Sequence, residues 1–134
     1  MSLLFAFDRD LTVDVNCGAV PLEWVKLLAK RHLVYSVGNP RLGPEAGIPT
    51  HNDVKDECKR RGLVVVIPAV SLKHVEDGYL SNAEGKIRRL SRLSALFGRG
   101  YDKIIVDDID LSTMPGWTYF HPDEFYAVGI DRWL

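Results

Sequence analysis

Short hydrophobic runs of strand length alternate along the chain with stretches of helical period, and this alternation predicts a parallel sheet with helices on both faces. Leu3-Leu4-Phe5-Ala6-Phe7 is apolar throughout and stops at Asp8, the pattern of a buried first strand. Pro21 suits a first helical position, and Leu22, Val25, Leu28 and Ala29 recur on one face, so a helix is expected from Pro21 to Arg31. A second strand leads in at His32 and Leu33 and ends at Ser36. Val37 to His51 carries Gly38, Gly43, Gly47, Pro40, Pro44 and Pro49, which predicts a long irregular connection.

Asn52 is a good N-cap for a helix through Val54 and Cys58 to Arg61, with Gly62 as its left-handed stop. Leu63-Val64-Val65-Val66-Ile67, dense in β-branched residues, predicts a third strand. Val70 to Leu80 surrounds the turn-favouring pair Asp77-Gly78 and is expected to form a hairpin or flap, an insertion bounded by residues 70–85. Lys86 to Phe97 is the clearest helix: Ile87, Leu90, Leu93, Ser94 and Phe97 share a face, with Arg88, Arg89 and Arg92 mostly off it. After Gly98 and Gly100, Lys103-Ile104-Ile105-Val106 is a fourth strand, Trp117 to Phe120 a fifth, and Pro122 to Val128 a closing helix.

Length and composition narrow the picture. The 134 residues, 46% of them hydrophobic, suit a single domain with its own core. Seventeen Lys and Arg against 18 Asp and Glu leave a formal charge of -1, which gives no global reason to expect a polyanion or an anionic membrane as partner. No apolar run approaches the ~20 residues that span a bilayer. The start Met1-Ser2-Leu3-Leu4-Phe5 lacks the features of a secretory signal. Cys17 and Cys58 are too isolated for a disulfide framework. A cytoplasmic location is the expectation. The tryptophans show no stacking-platform spacing, so nucleic acid is not indicated, and the histidines show no paired metal-ligand spacing.

Ligands of open parallel sheets bind beyond the carboxyl ends of the strands, so the residues that follow each apolar run carry the information. Asp8 and Asp10 follow the first strand, Ser36, Gly38 and Asn39 the second, and Asp107 and Asp108 the fourth, with Asp110 close behind. Carboxylates crowded on one rim repel each other unless a cation sits among them, and their hard oxygens suit Mg²⁺.

Asp8-Arg9-Asp10-Leu11-Thr12-Val13 after Leu4-Phe5-Ala6-Phe7 resembles the first motif of the haloacid dehalogenase (HAD) superfamily, an apolar run followed by Asp-x-Asp-x-Thr or Val. Leu33-Val34-Tyr35-Ser36 resembles the second motif, Lys86 the third-motif lysine, and Ile104-Ile105-Val106-Asp107-Asp108 the fourth. The first motif alone is weak; four stations in order, from residue 4 to about 120, are specific. The resemblance implies a three-layer α/β/α doubly wound core and a Mg²⁺-dependent phosphatase, a hydrolase of phosphoric monoesters. It implies Asp8 as the nucleophile that forms an aspartyl-phosphate and Asp10 as general acid and base. Ser36 and Lys86 would bind the phosphoryl group. Mg²⁺ would be held by Asp8, the backbone carbonyl of Asp10, Asp107 and Asp108.

Each residue also has a plainer reading: an Asp after a strand starts turns and caps helices, Ser36 alone is a loop hydroxyl, and Lys73 competes with Lys86 for the third-motif role. The basic strip of Lys86, Arg88, Arg89 and Arg92 could meet a phosphorylated substrate, but it reads first as a solvated helix face. The chain departs from many HAD phosphatases in leaving no room for a cap between Thr12 and Ser36, and only a flap's worth at residues 70–85. The implied site is open: to a small phosphorylated molecule, to an exposed phosphate on a macromolecule, or to cover by a second copy of the chain. Two alternatives come from other classes. A HAD-fold binding module with little turnover has no chemical need for Asp10. A receiver-like phosphoacceptor domain needs an Asp at the end of the middle strand, where this chain has Ile67-Pro68-Ala69.

Overall fold

A computed structural model describes residues 2–71 and 77–134, with residues 77–81 described as backbone only. It is an α/β fold around a four-stranded, all-parallel sheet in the order β2-β1-β3-β4, with β1 Leu3–Phe7, β2 Leu33–Ser36, β3 Asp102–Val106 and β4 Trp117–Phe120. The helices are α1 Leu22–Ala29, α2 Leu42–Ala46, α3 His51–Arg61, α4 Asp77–Phe97 and α5 Pro122–Val128. Because side chains alternate along a strand, β1 sends Phe5 and Phe7 to one face and Leu4 and Ala6 to the other. Phe5 and Phe7 pack with Val25 and Leu28 of α1, Leu42 of α2 and Phe125 of α5. Leu4 and Ala6 pack with Val54 and Cys58 of α3 and with Ile87, Leu90 and Leu93 of α4. Both faces of the sheet are therefore buried, which is why its strands read as continuous apolar runs.

Register is what positions the functional edge. Phe7 lies level with Ser36 of β2 and with Val106 of β3, so the next residues, Asp8, Val37 and Asp107, leave the sheet side by side. The ladder extends one step into them: Asp8 N–H donates to the Val106 carbonyl (3.1 Å), Val37 N–H to Phe7 (3.0 Å) and Asp107 N–H to Phe120 (3.3 Å).

Four expectations are corrected. Leu63–Ile67 forms no strand; Val64 and Val66 are 84% and 76% exposed. At its carboxyl end the outer edge of β2 is met by the loop between α2 and α3, where Ser36 N–H donates to the Pro49 carbonyl (2.9 Å) and Ser36 bridges Thr50, so the β-branched run has no sheet to join there. Asn52 is not the N-cap of α3; Thr50 is, and its N–H donates to the Asp53 carboxylate (2.8 Å). The Gly/Pro-rich connection contains α2, closed by Gly47 at φ 69°. Finally, Asp77-Gly78 is the first turn of α4 and not a hairpin tip, since the apolar stripe of that helix runs back from Leu90 through Ile87 to Ala83. The rest of the expected flap, residues 72–76, lies outside the described residues, as does Lys73. No helix among the described residues is long and apolar enough to cross a membrane.

Candidate active site

Asp8, Asp107 and Lys86 form a buried triad at the carboxyl edge of the sheet. Lys86 stands at the middle of α4, not at its start, and its Nζ lies 3.0 Å from Asp8 Oδ1 and 2.5 Å from Asp107 Oδ2. Asp8 Oδ2 accepts from the Thr12 hydroxyl (3.2 Å), and Asp107 Oδ1 from Ile109 N–H (2.9 Å). Tyr119 OH donates to the Asp107 carbonyl at 2.8 Å, which anchors the turn behind it. Burial pushes both carboxyls above their ordinary range against the pull of the Lys86 charge, and for Asp8 the neighbouring Asp108 adds to the rise. The Lys86 pKa is raised as well, which for an amine favours the charged form: its burial is outweighed by Asp107 and Asp8.

Asp108 completes an acidic cluster: one carboxylate oxygen from each of Asp8, Asp107 and Asp108 lies within 4.8 Å of the other two. Asp107 Oδ2 is buried, and Lys86 is its partner, as an ion pair. Three converging carboxylates of this kind fit a hard divalent cation such as Mg²⁺. Asp110 stands outside the cluster and accepts from Ser112 N–H (2.9 Å), the turn-capping role its position allowed.

Asp10 sits at the rim, not in the cluster. Its carboxylate accepts from Asn16 (2.8 Å), Arg9 (2.8 Å) and, at 3.4 Å, Asn39. These contacts, Asn16 foremost, hold its pKa below the usual carboxylate range, so in its resting contacts Asp10 is a base. Arg9 is buried and forks onto Glu45 of α2 (Nε–Oε1 2.7 Å, Nη2–Oε2 3.1 Å), tying the loop after β1 to the connection after β2. Leu11, between Asp10 and Thr12, holds a left-handed φ of 61°.

A cavity of about 520 Å³ opens above these groups, walled by Asp8, Asp10, Lys86 and Asp108 and further by Gly38, Asn39, His51, Asn82 and Arg89. Ser36 is not in this wall. It is fully buried level with Phe7, and its hydroxyl donates to the Asn39 carbonyl at 3.3 Å, so its contact is with the loop that shapes the cavity. Gly38 is required by closeness: a Cβ there would lie 1.9 Å from Asp8 Oδ1.

The structure thus brings together Asp8, Lys86, Asp107 and Asp108, keeps Asp10 at the rim, and turns Ser36 aside. Sequence reasoning set Arg89 on a solvated face and passed over Asn82 and the Arg9–Glu45 pair. The first two had a signal, because residues 82, 86 and 89 follow the i, i+4, i+7 spacing of one helix face. The Arg9–Glu45 pair joins distant segments and had none. Compared with protein-family models, with curated proteins and with solved structures, the chain finds no match.

Proposed function

We propose that this protein is a HAD-type phosphatase: a Mg²⁺-dependent hydrolase of phosphomonoesters, built on the three-layer core of that superfamily, with Asp8 as nucleophile. The observation that carries the reading is the setting of Asp8, a buried carboxylate at the base of a cavity, 3.0 Å from a buried lysine and within one metal-ligand cluster with two further acids. A carboxylate reacts with a phosphoryl group only where that group's negative charge is countered, and Lys86 stands at the oxygen that would attack.

Asp8, Asp107 and Asp108 are the side chains that would hold Mg²⁺, which supplies charge neutralisation of the phosphoryl oxygens when bound. Asp8 attacks phosphorus, and the bond from phosphorus to the ester oxygen breaks as the acyl phosphate forms. The departing oxygen takes a proton from Asp10, which must first gain one from solvent as the phosphoryl dianion approaches. Asp10, again a carboxylate, then removes a proton from the water that attacks phosphorus. Inorganic phosphate leaves and Asp8 is restored. Lys86 favours the carboxylate form of Asp8 before attack and aims it, while the Arg9–Glu45 fork and Asn16 hold the position of Asp10.

The test is hydrolysis of an aryl phosphate in Mg²⁺ and in EDTA, with wild type and Asp8→Asn. Activity should need the metal and vanish in the variant, while beryllofluoride with Mg²⁺ raises the melting temperature of the wild type only. Metal-dependent turnover that survives Asp8→Asn refutes the nucleophile.

A further inference from the structure

Part of the cavity wall is left unused by that mechanism. Arg89 lies three residues beyond Lys86 on the same face of α4 and lines the same cavity. It is half-buried, and its Nη1 donates to the Val37 carbonyl at 2.7 Å, which pins the guanidinium to the end of β2 beside Asp8. Among the described residues no carboxylate makes an ion pair or hydrogen bond with it, and the Asp8 charge acts on it only from a distance. A half-buried guanidinium without an anionic partner is uncommon, because it has given up water around five donors for little return. His51, in the same wall, is held toward its neutral form by burial and by the charges of Arg89 and Arg92.

Gly85 gives an independent sign that this space is kept for a ligand. It occupies the interior of α4, where glycine costs about 1 kcal/mol relative to alanine. Its backbone is not left-handed, and a Cβ added there would meet nothing within 4 Å, so packing does not explain it. It lines the cavity between Asn82 and Arg89, and any side chain would take up room there.

We propose that Arg89 receives a second anionic group of the substrate, so that the compound entering this cavity is a small phosphomonoester bearing a further phosphate or carboxylate. The inference rests on the reading of Asp8 as the phosphoryl acceptor. The cavity volume is in the range of small-molecule sites, about 300–1,000 Å³. A second anion needs a cation of its own, because Lys86 is engaged by Asp8 and Asp107, and a pinned guanidinium with donors to spare offers the planar fork that phosphates and carboxylates accept.

The experiment uses three non-hydrolysable probes of matched chain length: propylphosphonate, phosphonopropionate and propylene bisphosphonate, titrated calorimetrically at fixed free Mg²⁺. The wild type should bind one or both of the probes that carry an anion at each end about tenfold tighter than propylphosphonate. Arg89→Gln should erase that advantage and Arg89→Lys restore part of it. Preference for the bisphosphonate alone assigns a second phosphate, and equal preference for both assigns any anion. Equal affinity for all three probes in the wild type, or an advantage that survives Arg89→Gln, overturns the proposal. The wild-type ranking decides even if Arg89→Gln does not fold. Since no probe is turned over, failure here is distinct from failure of the phosphatase reading, which the aryl phosphate assay reports.

Discussion

Replacing Lys86 by Met tests whether the triad is held together electrostatically. Lys86 meets Asp8 at 3.0 Å and Asp107 at 2.5 Å, and all three side chains are less than a tenth exposed. At an effective dielectric near 20, each contact carries a gross attraction of roughly 6 kcal/mol, most of it offset by the desolvation of three ions. Removing one partner of such a set leaves uncompensated charge, at a cost of about 3–5 kcal/mol. That is a large share of the roughly 5–15 kcal/mol that stabilises an ordinary domain. The cost must depend on pH, and its sign follows from the carboxyls. Asp8 is raised above its unfolded value of 3.8, and Asp107 is pushed up to about 8. Groups shifted in this direction contribute stability at acid pH that is lost as pH rises through the folded value. In Lys86→Met the lowering influence of the lysine disappears, so the folded values climb further and the loss deepens at alkaline pH. Urea denaturation followed by circular dichroism, without metal, should show the variant within about 1 kcal/mol of wild type at pH 5 and about 3–5 kcal/mol weaker at pH 8. Added Mg²⁺ should recover part of the deficit at pH 8. An equal cost at both pH values would show that Lys86 stabilises by packing alone, and would remove it from the site.

Two further outcomes follow from particular contacts. Gly38→Ala places a Cβ 1.9 Å from Asp8 Oδ1 and 3.1 Å from its Cγ, so the carboxylate must swing off Thr12 and Lys86. Aryl phosphate turnover should fall at least ~100-fold, at a stability cost of only about 1–3 kcal/mol, and near-normal turnover would show that the loop gives way instead. The double variant Val64→Lys, Val66→Lys should change urea stability by no more than about 0.5 kcal/mol, because both side chains face solvent; a loss above about 2 kcal/mol would mean that this segment packs in solution as a strand does.

The elements that were legible in the chain are those whose stability is local or whose burial is complete. The strands around Leu4, Val34, Ile105 and Tyr119 fall where apolar runs predict them, and Pro122–Val128 was readable to the residue because proline marks its first turn. Leu63–Ile67 misled because β-branched residues report fitness for a pleated surface, not the presence of a neighbour with free hydrogen-bonding groups. Leu42–Ala46 was hidden by Pro44 and flanking glycines; it is a tertiary helix, with Leu42 in the core and Glu45 gripped by Arg9. In the site, the acids were legible because each ends an apolar run. Ser36 was identified by the same rule, yet its hydroxyl turns to Asn39, since position at a strand end does not fix a rotamer. Arg89 was taken for a solvated residue because its neighbours Arg88 and Arg92 made the run look like a charged surface.

The two aspartates of the first motif are held by different means, and the difference bears on what each can do. Asp8 and Asp107 are fixed through their main chain, whose N–H groups make the last bonds of the sheet, so their carboxylates stand on rigid strands at a set spacing. Asp10 lies beyond the ladder, before the left-handed turn at Leu11, and is held by side chains alone: Asn16, Arg9 and Asn39. A nucleophile and metal ligands need fixed geometry, whereas a group that gives a proton to one oxygen and takes one from another must adjust between two positions and two charge states. Under the proposed function, the sheet edge would meet the first requirement, and side-chain contacts that can be exchanged at the rim would meet the second. The loop between Asp8 and Thr12 is thus where rigid and adjustable chemistry meet.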